Sequence, residues 1–189
     1  MERLELAVRL ASSVLQFHTS GWLRERWGKK DIYLVQPDPS KPSLGTPIVH
    51  HNFTSEPSPK KLTIVCSDLS LFSLGIVLIE LWFWKCVESF KDDECQEGNL
   101  DTAKFMKASE QIAKLYEEAG VKYADSVRRC IHGLDHKESR LENNEFKSEV
   151  YLKVLRPLEK HLEDFCGKSL EDIFQKQGGH QALSLSPPP

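Results

Sequence analysis

Asp68–Trp84, DLSLFSLGIVLIELWFW, is the stretch that decides the fold. Its apolar side chains cover every side of a helix and leave no polar face: Phe72, Leu74, Ile76, Val77, Leu78, Ile79, Leu81, Trp82, Phe83 and Trp84. A helix that is apolar all round is buried in a protein core or in a membrane. The run is too short for a span, and Glu80 interrupts it, as do Ser70, Ser73 and Gly75 near its start. We therefore predict a central core helix around which other helices pack.

The composition is that of an ordinary globular domain. The 189 residues are 40% hydrophobic and 28% charged, with a formal net charge of -3. This length fits one domain with a substantial core. The charge argues against a general binder of nucleic acid or of anionic membranes.

The cysteines and the N-terminus indicate an intracellular protein. Cys66, Cys130 and Cys166 stand beside apolar residues, and the total of five cysteines is odd, which is typical of reduced thiols. The opening MERLELAVRL has acidic residues where a signal peptide needs a basic start and an apolar run. We expect a cytoplasmic location by default, with the nucleus left open, and no transmembrane segment.

Outside the core helix the sequence predicts amphipathic helices joined by loops. The elements are a helix at 2–19 ended by Gly21, a strand at 31–35, a proline-rich loop at 36–61 with an extended piece at 47–49, a loop at 85–100, and helices at 101–119, 123–131 and 145–165. Asp68 is a good N-cap for the core helix, and Gly120 and Gly167 are good helix ends. Pro157 predicts that the last long helix is either kinked or restarted at that point.

The first and last of these helices each carry one apolar stripe. The stripes are Leu6, Leu10, Val14 and Phe17 in the first helix, and Phe146, Val150, Val154, Leu158, Leu162 and Phe165 in the last. Both stripes are expected to face the core. The fold class is therefore mainly α, with one domain over 1–167 and a short helical turn and disordered tail over 168–189.

Several segments in this order resemble the large lobe of a protein kinase. Leu15–His18 is similar to the YLH that closes the helix before a kinase catalytic loop, and Asp31–Val35 is similar to the NILLD that follows that loop. Ser70–Leu81, SLFSLGIVLIEL, is close to the central helix DVYSFGVVLLEL, and Ser126–Arg140 resembles the late pattern xxxKCL…DPxxR. The resemblance spans about residues 4–160. It implies a kinase C-lobe-like helical domain around a buried helix, with short β elements and no small lobe.

A narrower resemblance concerns a fungal family of unknown function. RLELAVRLASSVLQFHTSGWL, KKDIYLV and LFSLGIVLIELWFWKCVE are similar to members that carry a degenerate kinase-like lobe behind a helical N-terminal region. The kinase pattern gives Ser70, Gly75 and Glu80 structural places in the central helix. It also pairs Arg140 with a glutamate just before that helix. Glu56, in Ser-Glu-Pro, lies near that place, so we predict an Arg140–Glu56 bridge that ties the proline-rich loop down.

Departures from the kinase pattern imply that catalysis is lost. A kinase catalytic loop reads HRDLKxxN, in which the Asp accepts the substrate proton and the Asn holds a metal ion. Placing Asp31 on that Asn puts Arg24-Glu25-Arg26-Trp27-Gly28 on HRDLK. Arg26 then stands at the base position, where an arginine cannot accept a proton, and Gly28 replaces the lysine.

The remaining kinase parts have no good counterparts. Ser43-Leu44-Gly45 lies near the expected distance for DFG, but serine is a poor substitute for a metal-binding carboxylate. The Asp that opens the kinase central helix is Ser70 here. The Gly-rich loop and the strand lysine that grip ATP have no counterpart in the chain. We therefore expect no enzyme activity, no cofactor and no metal site.

Other candidate ligands and nucleophiles have plainer structural interpretations. The candidates are Asp31, the adjacent pair His50-His51, Cys130 with His132 and His136, and Cys66 or Cys86. The aspartate lacks a partner ligand, the histidine pair lies in a loop, and the Cys–His spacing is not that of a zinc finger. The two cysteines flank the apolar helix, and nothing in the sequence lowers the pKa of either thiol.

The tryptophans divide into two pairs. Trp82 and Trp84 are expected in the core or at its edge. Trp22 and Trp27 sit where kinases have their catalytic loop, and they are candidates for an exposed recognition surface.

The predicted function is a catalytically inactive, kinase-like module for protein interaction or signalling scaffolding. Its partner would be another protein or an N-terminal region missing from the chain. The alternative is a nucleotide-binding or weakly active phosphotransferase fragment that takes its small lobe from elsewhere. A structural remnant that is unstable alone is a third possibility.

Overall fold

The computed structural model describes residues 1–18, 23, 26–35, 46–49, 68–89, 100–135, 140–167 and 169–171. Its helices are α1 (Glu2–Phe17), α2 (Leu69–Phe83), α3 (Leu100–Glu118), α4 (Val121–His132), α5 (Asn144–Val150) and α6 (Arg156–Cys166), with a π-helical segment (Tyr151–Leu155) between α5 and α6. Strands β1 (Ile32–Val35) and β2 (Thr46–Val49) form an antiparallel pair. Two short 3₁₀ turns complete these elements, the Lys29 turn (Lys29–Asp31) and the Val87 turn (Val87–Ser89). The predicted mainly helical fold is confirmed.

Helix α2 is the centre of the core, as its sequence predicts. Its buried residues are Ser70, Leu71, Phe72, Ser73, Leu74, Gly75, Val77, Leu78, Ile79 and Leu81. Helices α1, α3 and α4 pack around it. Within the described residues, no helix has both the length and the apolar character needed to cross a membrane.

The two ends of α2 close differently. Asp68 precedes the helix in an extended conformation, and its carboxylate Oδ1 accepts a hydrogen bond from Leu71 N at 3.0 Å. This bond satisfies one of the free N–H groups of the first turn, so the predicted N-cap is confirmed. At the other end Trp84 adopts a left-handed conformation with φ of 52°. That conformation is uncommon for a residue with a Cβ atom, and it turns the chain sharply away from the helix.

Gly75 lets α4 pack directly against the backbone of α2. A Cβ atom at this position would lie 2.7 Å from Ile131 Cδ1 and 2.9 Å from Cys130 Cβ. Both distances are shorter than any normal contact, so a larger residue would push the helices apart. Further along the same interface the fully buried Tyr123 donates its hydroxyl to Leu78 O at 2.9 Å.

The last long helix is interrupted by a π-helical segment just before Pro157, and an α-helix restarts at Arg156, in agreement with the predicted restart. Proline has no N–H to offer to the carbonyl one turn earlier, at Lys153. The backbone forms a π-helical segment there, and α4 supplies the donors that the segment lacks. Arg129 Nη1 donates to Lys153 O at 3.0 Å, and Ser126 Oγ donates to Val154 O at 2.9 Å.

Two stripe residues are not buried as predicted. Phe17 is 45% exposed and Phe165 is 63% exposed, although the other residues of both stripes are buried. Each phenylalanine lies in the last turn of its helix, beyond the reach of the packed core. Helix α1 also ends at Phe17 rather than at residue 19, and the predicted C-cap Gly21 lies outside the described residues.

The other predicted helix ends and strands agree with the structure. Gly120 separates α3 from α4, and Gly167 ends α6 with φ of 61° and its N–H bonded to Glu163 O at 2.8 Å. The extended piece predicted at 47–49 forms strand β2, in which Pro47 pairs with Leu34. The rest of the proline-rich loop lies outside the described residues.

Candidate functional site

An apolar groove opens at the C-terminal end of α2, between α1, α2 and β1. We call it the α2 groove; its volume is about 290 Å³ and it is lined by Leu6, Leu10, Lys29, Ile32, Leu34, Val77, Glu80, Leu81, Trp84, Lys85 and Cys86. The helices supply the aliphatic floor and β1 supplies one wall. A concave apolar surface with a few polar groups at one end is the usual form of a binding site.

The polar end of the α2 groove is a cluster of three side chains. Lys29 Nζ lies 3.1 Å from Glu80 Oε1 and 2.7 Å from Cys86 Sγ. The same glutamate oxygen accepts Val87 N at 2.9 Å, which fixes the turn after α2. Glu80 is the single carboxylate within the apolar helix, and the structure shows that it organises the groove's polar end.

The charges in this cluster stabilise one another. The hydrogen bond to Cys86 and then the hydrogen bond to Glu80 raise the pKa of Lys29 to about 12, against the opposing effect of burial. Burial acts to raise the pKa of Glu88, but a backbone hydrogen bond and Lys104, whose Nζ is 3.0 Å from Glu88 Oε1, lower it overall. Lys29 therefore stays a cation, and Glu88 stays an anion, across the physiological pH range.

The same cluster has a geometry that resembles a metal site. Ligand atoms of Glu80, Cys86 and Glu88 all lie within 4.8 Å of one another. However, Lys29 Nζ contacts all three, with Glu88 Oε2 at 3.8 Å. A lysine ammonium thus takes the place that a cation would need, and the acidic charge is balanced from within the chain.

The segment expected at the catalytic loop is partly described. Arg24 and Glu25 lie outside the described residues. Asp31 accepts a hydrogen bond from Gly28 N through Oδ2 at 2.9 Å, so its carboxylate closes the Lys29 turn. Arg26 is half-buried.

Trp27 does not provide the exposed ring that was a candidate for recognition. It is 5% exposed, and its Nε1 donates to Ser70 O at 3.2 Å, across the first turn of α2. A large ring beside an apolar helix is driven into the core, whatever its neighbours in sequence. Trp22 lies outside the described residues. The structure therefore brings Trp27 and Ser70 together in a structural contact.

Trp84 is more exposed than expected for a residue of the core edge. It is 57% exposed and lines both the α2 groove and a second hollow of about 610 Å³ beside the N-terminus. The guanidinium of Arg3 lies 5.3 Å from the centre of its ring, and Arg3 Nη1 donates to Trp82 O at 2.8 Å. Trp82, by contrast, is partly buried against the core, as predicted.

Strand β1 adds an exposed apolar surface next to the groove. Tyr33, Leu34 and Val35 are 55%, 40% and 48% exposed, and Leu34 and Trp84 line the same cavity. Successive residues of a strand point to opposite faces, so both faces of β1 are accessible here. We call Tyr33, Leu34, Val35 and Trp84 the β1 surface.

Asp68 ties two distant segments to the opposite end of α2. Besides capping the helix, its Oδ2 accepts a hydrogen bond from Leu141 N at 3.2 Å. Burial, opposed by these backbone hydrogen bonds, raises the pKa of Asp68. The neighbouring Arg140 is exposed, and its predicted partner Glu56 lies outside the described residues, so that bridge stays a prediction.

The other candidate ligands fall outside the groove or outside the described residues. Cys130 is buried against α2, and burial raises the pKa of its thiol, whereas His132 is exposed. The remaining candidates, His50, His51, Cys66 and His136, lie outside the described residues.

The sequence does not predict the cluster of Lys29, Glu80 and Cys86. The three residues are far apart in the chain and match no motif. One signal was available: a lone carboxylate in an apolar helix must find a partner, because an unpaired buried charge is costly.

Comparison with known proteins identifies the family of the chain. The family described as "Domain of unknown function (DUF7580)" matches residues 1–165 of the chain. The curated proteins and the solved structures contain no match.

Proposed function

The chain belongs to the DUF7580 family, a domain of unknown function, and we propose that it is a catalytically inactive, kinase-like lobe that binds another protein region through the β1 surface. The observation that carries this proposal is the exposure of the β1 surface beside an apolar groove. The kinase resemblance of the central helix and of Asp31–Val35 supports the kinase-like part of the proposal.

Near the expected catalytic loop, Asp31 is engaged in a structural hydrogen bond, and Arg26 cannot serve as a base. Phosphoryl transfer needs a base for the hydroxyl and carboxylates or amides that hold Mg²⁺. Arg26 stands at the base position and cannot accept a proton. One carboxylate oxygen of Asp31 accepts a hydrogen bond from the N–H of Gly28. These contacts support a lobe without catalysis.

The contact between Trp27 and Ser70 also supports the proposal of a lobe without catalysis. In the kinase pattern an aspartate at the start of the central helix steadies the catalytic loop, and Ser70 stands at that position here. The link between loop segment and helix is made instead by the Trp27 indole, which donates to the Ser70 carbonyl. The buried Trp27 ring thus holds the expected catalytic-loop segment against α2, and the aspartate of the kinase pattern is not needed for this contact.

The β1 surface supports a binding role. Exposed tryptophan and tyrosine are enriched at the centres of protein interfaces, because a rigid ring buries a large area at a low cost in entropy. Trp84 and Leu34 stand at the edges of a groove that an apolar side chain of a partner could fill. The three exposed residues of β1 continue this apolar area outward.

The resemblance also suggests the kind of partner. In kinases the Gly-rich loop of the small lobe covers the phosphates that the catalytic loop faces from below. The β1 surface follows directly on the corresponding segment of this chain. The proposed partner is therefore a folded protein region, in another chain or N-terminal to this domain, that places apolar side chains over β1 and Trp84.

Site-specific photo-crosslinking tests the proposal. A benzophenone amino acid at Tyr33 is expected to give a discrete adduct in cells, whereas the same group at Tyr151, which is 42% exposed on the π-helical segment, gives none. The adducted protein is then purified and its affinity measured. Leu34→Glu is expected to weaken binding by at least about tenfold, a loss of about 1.4 kcal/mol, because it places a charge in an apolar contact. Equal adducts at Tyr33 and Tyr151 would contradict the proposal. So would equal affinity of the wild-type chain and of Leu34→Glu for the purified partner.

A further inference from the structure

The amine of Lys29 and the thiol of Cys86 lie in contact with each other. Lys29 lies in the turn before β1, and Cys86 lies in the turn after α2, yet Nζ and Sγ are 2.7 Å apart. Glu80 holds the ammonium from the other side at 3.1 Å. Glu80 stands on the buried central helix and also accepts Val87 N, so both turns are held to that helix.

Cys86 is open to oxidation by peroxide, for which the thiolate is the form that reacts. Cys86 is exposed, so an oxidant can reach it. Cys130 provides the internal contrast, because it is buried and burial raises the pKa of its thiol.

We propose that Lys29 and Cys86 are a modification site at which hydrogen peroxide forms a covalent sulfur–nitrogen crosslink. In the first step the Cys86 thiolate attacks peroxide, the O–O bond breaks, and sulfenic acid and hydroxide form. Hydroxide then takes a proton from the Lys29 ammonium and becomes water. In the second step the amine attacks the sulfenic sulfur, the S–O bond breaks, and a second water leaves. Sulfur is oxidised and peroxide is reduced, with one peroxide consumed and two waters formed.

The geometry favours this condensation over further oxidation. A sulfenic acid is known to condense with a backbone nitrogen to a sulfenamide, and further peroxide takes it to sulfinic acid. The proposal extends the first reaction to a lysine amine. The amine already lies in contact with the sulfur, so little motion separates the reacting atoms. Once the thiolate is oxidised, the hydrogen bond that contributes most to the raised pKa of Lys29 is also lost, which eases release of its proton.

The crosslink would change the α2 groove without depending on what the groove binds. It joins the turn before β1 to the turn after α2, so it fixes the width of the groove at its polar end. It also removes the positive charge of Lys29. Of the two hydrogen-bond donors to Glu80 described above, Val87 N then remains. This inference is independent of the proposed function, and each can fail alone.

Mass spectrometry of the full chain after graded hydrogen peroxide treatment tests the proposal. The expected product is about 2 Da lighter than the reduced protein, because two hydrogens leave and no oxygen stays. Digestion with trypsin should give one joined species that contains Lys29 and Cys86, uncut after Lys29. Treatment with a thiol reductant should restore the starting mass.

Matched variants separate the crosslink from ordinary thiol oxidation. Lys29→Arg keeps a positive charge beside the sulfur but removes the amine, so it should give a trappable sulfenic acid at Cys86 and no joined species. Cys86→Ser should give neither product, and the partly exposed Cys166 should remain unlinked. The proposal would be overturned if Cys86 of the wild-type chain were oxidised to sulfinic acid and no joined species formed. A crosslink that retains oxygen, about 14 Da heavier than the reduced protein, would also overturn it.

Discussion

The two ends of α2 differ in what surrounds them. At the N-terminal end the buried Trp27 and Ser70 and the half-buried Asp68 make contacts within the chain, to a carbonyl and to N–H groups. At the C-terminal end Trp84 and Cys86 are exposed beside an apolar groove. Position in a motif therefore does not decide accessibility: Trp27 and Ser70 are buried in structural contacts at one end of α2, whereas an exposed tryptophan and an exposed thiol lie at the other.

The sharpest contrast between the ends comes from their tryptophans. Trp27→Ala should lower the free energy of unfolding by about 3–5 kcal/mol, because a fully packed ring leaves a cavity. Trp84→Ala should cost about 0.5–1 kcal/mol, the value of its contact with Arg3. Urea unfolding of the two variants measures both values. Similar losses would show that the ends are not distinct.

The close packing at the middle of α2 gives the next largest effect. Gly75→Ala should destabilise the fold by about 1–3 kcal/mol, because the added methyl group overlaps Ile131 and Cys130. Gly28→Ala is the matched control: its added methyl group meets nothing within 4 Å, so a change within about 0.5 kcal/mol is expected. Thermal unfolding of both proteins compares them, and a neutral Gly75→Ala would mean that α4 packs more loosely than described.

The cap at the N-terminal end gives a smaller effect. Asp68→Ala removes the acceptor for Leu71 N and for Leu141 N, and it should cost about 1–2 kcal/mol. Asp68→Asn keeps an oxygen acceptor for Leu71 N but puts an amide NH2 group where Oδ2 accepts from Leu141 N, so it should recover only part of that loss at neutral pH. Chemical unfolding at pH 7 measures both, and an equal loss in the two variants would show that the hydrogen bonds do not matter.

The same residue predicts a pH dependence. Burial raises the pKa of Asp68 above its unfolded value, so the folded chain binds this proton more tightly than the unfolded chain. The contribution of Asp68 to stability is therefore full below the unfolded pKa and declines as pH rises through the folded pKa. Asp68→Asn should remove that decline in an unfolding series run across the acidic range. An unchanged pH profile would show that the carboxyl group titrates normally.

The ion pair at the C-terminal end gives the smallest effect. Lys29 is close to half exposed, so its contacts with Glu80 and Glu88 are screened by solvent. Lys29→Gln should therefore lower stability by less than about 1 kcal/mol. Differential scanning calorimetry checks this value, and a larger loss would mean that the cluster supports the fold as well as the groove.

The fold could be predicted where local rules act alone. The all-round apolar sequence of α2, the cap at Asp68 and the break at Pro157 follow from burial, capping and the missing proline N–H. Periodicity failed at Phe17 and Phe165, because a stripe shows which face is apolar and not how far the core extends along it.

The candidate site could be predicted much less well. The place of Trp27 in a motif predicts an exposed ring, but the burial of that ring is decided by α2, a partner remote in sequence. The cluster at Lys29, Glu80 and Cys86 depends on the turn at Trp84, which places Cys86 back against the Lys29 turn. Such a contact between two turns has no periodic signature in the sequence.

The central claim is that this lobe lacks phosphotransfer chemistry and works through the groove end of α2. Calorimetric titration of the full chain with ATP and Mg²⁺ tests it most directly, with Asp31→Asn as the matched variant. We expect no saturable heat for either protein up to about 1 mM nucleotide, since a site weaker than that has less than about 4.1 kcal/mol of binding free energy. Saturable binding that Asp31→Asn abolishes would contradict the account and favour a nucleotide-binding fragment.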